Sequence, residues 1–455
     1  GSTLAPQQIQ LLKAEDDTAT ITLDNQVVQI EQATVSDSGG FEGSFQTVTL
    51  DEKGGGVANF RYQHFSIPDN FIIRYEGKNI LETGFVGGSR TGTVQIPKGN
   101  SNQLEVIVAT DDEGTQWNYD VTTLAPGLNI QDAYVEVPGG SSQKATIKFP
   151  VTLSEPSDAE TTVNYFTVVG TAVDGVTGSD RIDYTPVTNT LTFAPGETKK
   201  EIEITVLGDT PVNFGSNKNF EIFARDTAYR DWKKGEDIDF NSTLSYKDLG
   251  YRVDEFFAGG KDFQAVGLTS AEKFFVVISE PVNAKISKES GEEKNRLLNE
   301  LKGFLGGDTN SSAYNTATKE LDKLQAQDAS WTFATGTIYD QGKAPVLAIR
   351  GTASGQDAWD DANPNGIGYA QFTANKDNVN KWLQSVSKPK DTNVSFKPHI
   401  TGHSLGGALT QWVAADYSSQ GKLGNIVTFN APGISFDGAN SFAGADKVTH
   451  YITST

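Results

Sequence analysis

The segment His399–Leu409 constrains the fold of this chain more strongly than any other. It contains the pattern Gly-x-Ser-x-Gly at Gly402, Ser404 and Gly406, and residues of high helix propensity follow it. Glycines on both sides of a serine permit the sharp, strained turn by which a strand passes into a helix. The pattern therefore predicts a strand, a tight turn and a helix, with the Ser404 hydroxyl projecting from the end of the strand.

A serine in this position suits nucleophilic attack on an acyl carbon. The helix N-terminus places positive partial charge beside the attacking oxygen, and the N–H of the next residue, Leu405, is one donor for the developing oxyanion. A second donor has to come from another strand end, and the apolar run Val346–Ile349 ends in Arg350-Gly351-Thr352. We interpret Ser404 as a nucleophile. The alternative is a glycine-rich turn in an inactive homologue.

Residues 226–455 resemble the class 3 lipases, α/β-hydrolases that include fungal triacylglycerol lipases. The resemblance rests on Tyr229, Gly250-Tyr251, Phe263–Ser270, Arg350-Gly351-Thr352 with Asp357 and Asp360 behind it, the Ser404 turn and Val427–Pro432. It implies an α/β-hydrolase domain that hydrolyses carboxylic esters of glycerolipids and requires no cofactor for catalysis. It also implies that Thr352 is the first oxyanion residue, with a purely structural strand-end turn as the alternative.

The histidine base and its carboxylate are harder to assign. The chain has four histidines: His64, His399, His403 and His450. His64 lies in the first β-rich region, His399 precedes the turn, and the His403 side chain should point away from Ser404. In class 3 lipases the residue matching His403 is usually a packing residue.

By the same resemblance, His450 lies in the strand that precedes the catalytic aspartate. Asp437 and Asp446 also precede that strand, so we do not assign either as the triad acid. The order serine, aspartate, histidine places both partners after Thr455. We therefore expect an α/β-hydrolase domain that is incomplete at its C-terminus.

Residues 1–125 show an apolar-polar alternation with a period of two, as in Phe71–Tyr75 and Gln103–Val108. Glycine-rich turns separate these runs, which predicts an antiparallel β-sandwich. The stretch Phe65–Phe71, together with Gly114–Tyr119, resembles the CUB-like β-domains of bacterial exported proteins. This region carries no predicted catalytic residue.

Residues 126–225 resemble a Calx-β domain. The resemblance is carried by Leu153–Pro156, Thr162–Tyr165, Gly170–Ala172, Asp183-Tyr184, Leu191–Glu197, Ile204–Val206 and Gly208-Asp209. It implies a second β-sandwich with an acidic Ca²⁺ site at one end, because a hard cation prefers carboxylate oxygens. By position, the ligands would be Glu136, Asp183 and Asp209.

Two positions depart from the Calx-β pattern. Asn213 and Lys218 stand where the family has glutamates. The loss of two carboxylates and the gain of an ammonium should weaken a Ca²⁺ site severely. The alternative is a structural spacer with three solvated acids at strand ends.

Two apolar stripes at helical spacing predict a helical hairpin over about residues 285–328. The stripes are Leu297, Leu298, Leu301, Phe304 and Leu305, then Tyr314, Ala317, Leu321 and Leu324. The hairpin lies between the apolar runs Val276–Ile278 and Val346–Ile349, which indicates an insertion between core strands of the last domain. It is either a covering hairpin or a lid over an apolar cleft.

Charge and composition limit the partners. Lys and Arg total 37 against 58 Asp and Glu, a net charge of −21, which repels the phosphate backbone and argues against nucleic acid as a partner. The absence of cysteine excludes disulfides, thiolate metal sites and a cysteine nucleophile. No apolar run approaches the about 18 residues needed to cross a bilayer.

Two functions follow from these observations. The first is a secreted or cell-surface bacterial esterase that acts on a lipid or another ester and is not transmembrane. The second is a non-catalytic surface adhesion protein with a degenerate hydrolase domain. The oligomeric state stays open.

Overall fold

The computed structural model describes residues 30–50, 53–175, 181–214, 220, 222–224, 246–259, 263–286, 288, 290–327, 329–351, 366–417, 422–434 and 445–452. The strands are β1 (Ile30–Gly39), β2 (Ser44–Thr49), β3 (Val57–Tyr75), β4 (Lys78–Gln95), β5 (Gln103–Ala109), β6 (Trp117–Ala125), β7 (Leu128–Ile130), β8 (Ala133–Val137), β9 (Lys144–Leu153), β10 (Thr161–Val168), β11 (Thr188–Phe193), β12 (Lys199–Leu207), β13 (Arg252–Ala258), β14 (Gln264–Thr269), β15 (Glu272–Val282), β16 (Trp331–Asp340), β17 (Val346–Ile349), β18 (His399–His403), β19 (Ile426–Phe429) and β20 (Val448–Tyr451). The helices are α1 (Ser290–Phe304), α2 (Ser312–Ala326), α3 (Tyr369–Ser387) and α4 (Leu405–Tyr417), with a 3-10 turn at Ala445–Lys447.

The first unit is an antiparallel sheet in the order β1-β6-β3-β5-β2, with β4 paired to β3. Its core contains Phe71, Leu104, Trp117 and Tyr119. The predicted β-rich organisation is confirmed for the described part of residues 1–125. The resemblance to CUB-like domains stays a prediction.

The second unit contains two sheets that share one core. A five-stranded sheet in the order β11-β10-β15-β16-β8 packs against a three-stranded sheet in the order β12-β9-β7. Phe149 of the smaller sheet meets Phe274 of the larger one edge to face, with ring centroids 5.8 Å apart. This arrangement is the sandwich that was predicted for the middle of the chain.

Two strands of this sandwich come from beyond the predicted boundary at residue 225. β15 pairs antiparallel with β10 and with β16, and β16 pairs parallel with β8. The expectation that Val276–Ile278 is a core strand of the last domain is therefore wrong. The run is apolar on both faces because β15 is a central strand covered on both sides, and such a run does not reveal which sheet contains it.

The predicted helical hairpin is present as α1 and α2, and it packs on the sandwich. Leu297, Leu301 and Leu321 share a core with Phe275 and Val277, which belong to β15. Both apolar stripes pack against this sheet, and their partly buried members are Phe304, Leu305 and Tyr314. The hairpin therefore covers the five-stranded sheet, in agreement with the first of its two interpretations.

The last unit is a six-stranded sheet in the order β13-β14-β17-β18-β19-β20. β17 to β20 run parallel, while β13 and β14 are antiparallel to their neighbours. α3 and α4 pack on one face through Trp382, Leu409 and Trp412, and the other face is covered around Phe223 and Tyr251. A sheet with parallel strands needs such cover on both faces.

The chain passes between the sandwich and the last unit more than once. It leaves the sandwich after β12, forms β13 and β14, returns for β15, α1, α2 and β16, and leaves again for β17. The connections at Ser270-Ala271 and at residues 341–345 are tied together, because the Ser270 hydroxyl donates to the Lys343 carbonyl at 2.7 Å. None of the described helices is both long and apolar enough to cross a membrane.

Candidate active site and acidic cluster

Ser404 lies between β18 and α4, as the sequence predicts, and its φ angle is 53°. A non-glycine residue in this left-handed region costs about 1–3 kcal/mol, so the surrounding structure has to hold it. The Ser404 N–H donates to the Phe429 carbonyl at 2.9 Å, and the Ser404 carbonyl accepts from the Gly407 N–H at 2.9 Å. These bonds fix the serine at the carboxyl end of a parallel strand.

The glycines of the turn are required by close packing. A Cβ atom on Gly402 would lie 2.2 Å from the Gly406 carbonyl oxygen, and one on Gly406 would lie 2.2 Å from the Ile349 carbonyl oxygen. A Cβ atom on Gly407 would lie 2.4 Å from the Ala431 Cβ. α4 can therefore begin against the ends of β17 and β18 only because these positions have no side chain.

The predicted oxyanion residues are placed in part. Leu405 is the first residue of α4, where a backbone N–H has no acceptor within the helix. Thr352 lies outside the described residues, as do Tyr229, Asp357 and Asp360. The preceding residue, Gly351, lies at the turn: a Cβ atom placed on it would be 3.4 Å from the Ser404 Cβ. The structure thus brings the end of β17 next to the serine.

No histidine forms a hydrogen bond with Ser404 in the described part of the chain. The His403 ring is half-buried, with its Nε2 atom 3.4 Å from the Asn430 amide nitrogen, and burial lowers its pKa. His450 in β20 is exposed and pairs with the Thr428 hydroxyl at 2.7 Å. Asp446 is exposed before β20 and Asp437 lies outside the described residues. The identity of the base and acid stays a prediction.

His399 has a structural position at the start of β18. Its Nδ1 atom accepts the Asn425 N–H at 2.8 Å, and its ring stacks on Phe214 with centroids 3.9 Å apart. Burial lowers the pKa of His399 from 6.5 to about 4. The neutral imidazole therefore anchors the strand that carries the serine.

This burial predicts an acid-sensitive fold. Because the pKa of His399 is lower in the folded chain, its stabilising effect is complete above pH 6.5 and is lost as the pH falls towards 4. The loss amounts to about 3 kcal/mol. We expect the free energy of unfolding of the wild type to fall by about that much more than that of His399→Gln between pH 7 and pH 4, measured by urea titration. Equal losses in the two proteins would contradict this prediction.

The predicted metal ligands are brought together only in part. Asp183 and Asp209 lie close to Glu272, with one carboxylate oxygen of each within 4.8 Å of the others. Glu136 does not belong to this group: it is exposed on β8, in register with Tyr339. Family position does not indicate Glu272, because it lies at the start of β15, which the sequence pattern places in the last domain.

Protein cations already pair with these three carboxylates. The Lys343 ammonium donates to Asp209 at 2.6 Å, and the Arg181 guanidinium pairs with Asp183 at 3.0 Å and with Glu272 at 2.6 Å. Burial, followed by the nearby Asp183 carboxylate, raises the pKa of Glu272 well above its usual value. Ca²⁺ needs six to eight oxygen ligands and would have to displace both cations. In this arrangement the donor set does not fit a calcium ion.

This arrangement predicts a sandwich whose stability is independent of calcium. We expect the wild type to melt at the same temperature in millimolar CaCl₂ and in EDTA. Lys343→Ala should lower the free energy of unfolding by about 3 kcal/mol, because Asp209 loses its buried partner, and added calcium should then restore part of the loss.

The control for this experiment is Lys148→Ala, which removes an exposed lysine that pairs with Glu201 and Glu203. Exposed pairs contribute about 0–1 kcal/mol, so this variant should melt close to the wild type. The prediction would be wrong if calcium raised the melting temperature of the wild type, or if Lys343→Ala and Lys148→Ala had equal effects on stability. Either result would show that Lys343 and Arg181 do not take the place of a calcium ion.

Two segments match known families. Residues 129–228 match the Calx-beta domain, and residues 346–450 match the class 3 lipase family. Both predicted resemblances are confirmed, in the predicted order. The chain is therefore multidomain, with a Calx-beta region ahead of a lipase-family region.

Similarities to solved structures are low. The apo-form Calx CBD1 domain is 10% identical, with 47% of this chain and 98% of that chain covered and a TM-score of 0.19. CBD12 from CALX1.2 is 12% identical, with 64% and 92% covered and a TM-score of 0.18. The Bacteroides uniformis beta-glucuronidase is 9% identical, with 90% and 52% covered and a TM-score of 0.18. A search of curated proteins found no match.

Proposed function

We propose that this protein is a serine esterase of the lipase type, which hydrolyses carboxylic esters of glycerolipids through an acyl-enzyme on Ser404. The observation that carries the proposal is the strained Ser404 backbone, with φ at 53°, between a parallel strand and a helix. The family match of residues 346–450 supports a lipase or esterase function at family level. In this proposal, the last unit is an α/β-hydrolase domain.

The proposed reaction follows from the position of the serine. The Ser404 hydroxyl attacks the ester carbonyl while a general base removes its proton. As the tetrahedral intermediate collapses, the C–O bond to the alcohol breaks and the base returns that proton to the departing oxygen. The N–H of Leu405, joined by a donor from Thr352, stabilises the oxyanion. Water then attacks the acyl-enzyme and releases the carboxylic acid. None of these steps requires a cofactor.

One observation favours a second function. Among the described residues, none of the four histidines is hydrogen-bonded to Ser404. A non-catalytic surface adhesion protein, in which β-domains bind and the hydrolase domain is degenerate, would fit this observation. In both functions the protein is secreted or lies at the cell surface. The net charge of −21 argues against nucleic acid as a partner in either case.

An alkyl fluorophosphonate probe separates the two functions, because it reacts only with an activated serine. The full-length protein is incubated with the probe and digested, and the labelled peptide is mapped by mass spectrometry. A label at Ser404 supports the esterase. No label under conditions that label a control lipase favours the adhesion protein. Turnover of triacylglycerol against phospholipid emulsions then gives the substrate class.

A further inference from the structure

A cavity of about 560 Å³ lies between α1, the start of β13 and the segment that follows α3. Its lining includes Arg252, Lys273 and the aromatic side chains Phe304, Tyr339 and Phe396. We propose that this cavity binds one organic anion with an apolar tail, such as a medium-chain carboxylate, whose charged head lies between Arg252 and Lys273. This site stands independently of the hydrolysis proposed at Ser404.

Neither cation forms an ion pair with an acidic side chain in the part of the chain that the structure describes. At longer range, the charge of Arg252 is favoured by Glu272 and Asp254, and that of Lys273 by Glu300 and Asp254. The Lys273 ammonium lies 3.9 Å from the centroid of the Phe304 ring, and no ion pair or side-chain hydrogen bond joins Arg252 to a described residue. Lys343, which also lines the cavity, is already paired with Asp209. Arg252 and Lys273 are therefore available to a ligand.

The acids that line the cavity are bound elsewhere. Asp254 accepts the Trp382 indole N–H at 2.8 Å. Glu300 pairs with Arg296 at 3.3 Å and accepts the Thr335 hydroxyl at 2.8 Å. The lining carries four cations, Arg252, Lys273, Lys343 and Lys390, against these two acids, so the net charge of the cavity wall is positive.

The cations are also costly without a counter-ion. Both side chains are half-buried, and burial lowers the pKa of each. Repulsion from Arg252 lowers the pKa of Lys273 further. Desolvated like charges oppose folding unless an anion neutralises them, and a carboxylate between them would offset the repulsion and accept hydrogen bonds from both.

The remaining walls indicate the rest of the ligand. Phe304 of α1, Tyr339 of β16 and Phe396 before β18 provide aromatic surface, and Val253 and Val386 add aliphatic surface. A volume of about 560 Å³ lies within the usual range for small-molecule sites, which combine apolar walls with a few placed polar groups. An inorganic anion would make no contact with these apolar side chains, so the lining favours a ligand with an apolar tail.

The cavity is separate from the serine. It is lined by Thr269 at the end of β14 and by Pro345 just before β17, whereas Ser404 follows the last residue of β18. Val346 at the start of β17 pairs with His399, at the start of β18. The cavity therefore lies at the amino-terminal end of β17 and Ser404 at the carboxyl-terminal end of β18, so a ligand in one does not occupy the other.

Calorimetric titration of the full-length protein with sodium decanoate below its micelle concentration tests the proposal. Acetate tests the head alone, and inorganic phosphate tests a simple oxyanion. We expect decanoate to bind with a stoichiometry of one. Arg252→Gln and Lys273→Gln should each weaken binding about tenfold or more, since each removes one charge-assisted contact. Lys388→Gln, which removes an exposed lysine outside the cavity, should leave the affinity within about twofold.

Melting temperatures of the variants show whether a loss of decanoate binding comes from unfolding. Without ligand, Arg252→Gln should melt at or above the wild-type temperature, because burial opposes the Arg252 charge more than the nearby acids favour it. Arg252→Lys should retain decanoate binding. Decanoate binding that survives both glutamine substitutions would overturn the proposed head position. Phosphate that binds as tightly as decanoate would overturn the apolar tail, and the absence of decanoate binding would overturn the site.

Discussion

Ser404→Ala is expected to abolish both ester hydrolysis and fluorophosphonate labelling while leaving the fold intact. The hydroxyl is the proposed attacking group, and removal of such a serine lowers kcat by about 10⁶-fold in a hydrolase with a complete site. The alanine methyl occupies the same space as the serine Cβ, and the backbone hydrogen bonds of residue 404 with Phe429, Gly407 and Ala408 are retained. Initial rates with a p-nitrophenyl ester, with intact mass after probe treatment, measure the effect.

The matched control is Ser89→Ala, which removes an exposed serine hydroxyl from β4 of the first unit. It should keep the wild-type rate and the label. Ester turnover by Ser404→Ala at the wild-type rate would mean that another group performs the attack, and would remove the basis of the proposed function.

Gly406→Ala is expected to disrupt the packing of the last unit. The new Cβ atom would lie 2.2 Å from the Ile349 carbonyl oxygen and 2.6 Å from the Arg350 carbonyl oxygen, and both neighbours are backbone atoms. α4 would have to move away from the end of β17, which should cost about 3 kcal/mol or more. We expect faster hydrogen exchange of the α4 amides and loss of labelling at Ser404.

Gly303→Ala is the matched control, and here the same substitution is expected to raise stability instead of lowering it. Gly303 lies in α1, and nothing lies within 4 Å of a Cβ atom built there. Alanine is favoured over glycine in a helix by about 0.5–1 kcal/mol, so this variant should be slightly more stable than the wild type. Unchanged exchange of α4 in Gly406→Ala would show that the turn tolerates a side chain.

The turn at Ser404 could be predicted from sequence because its determinants are local. Gly402, Ser404 and Gly406 lie within five residues, and the contact that requires glycine at Gly402 is with Gly406 of the same turn. The contact of Gly406 with Ile349 is distant in sequence, but the pattern itself is not. The two helical stripes of α1 and α2 are local in the same sense. A period of 3.6 residues identifies a helix whatever surface it covers.

The partners of β15 and β16 could not be predicted in this way. Phe274–Ile278 is apolar at every position, because alternate side chains enter the cores on the two faces of the sheet. Such a run fits the centre of any sheet, and its partner in β10 lies about a hundred residues away in sequence.

The membership of the acidic cluster also depends on strand pairing that the sequence does not reveal. Family position predicted Glu136, Asp183 and Asp209, but the strand pairing leaves Glu136 exposed and brings Glu272 to the other two acids. Arg181 lies two residues from Asp183, but Lys343 comes from a distant segment, and no short-range pattern marked it as the partner of Asp209.

The repeated passage of the chain between the two sheets limits how the protein can be divided. A fragment that starts after residue 225 would contain β15 and β16 but not their partners β10 and β8. The edges and apolar faces of β15 and β16 would then be exposed to solvent. A fragment that ends there would leave the sandwich open along β10. When expressed separately, the two fragments should therefore aggregate. To place the sandwich or the last unit in another protein, both have to be transferred together.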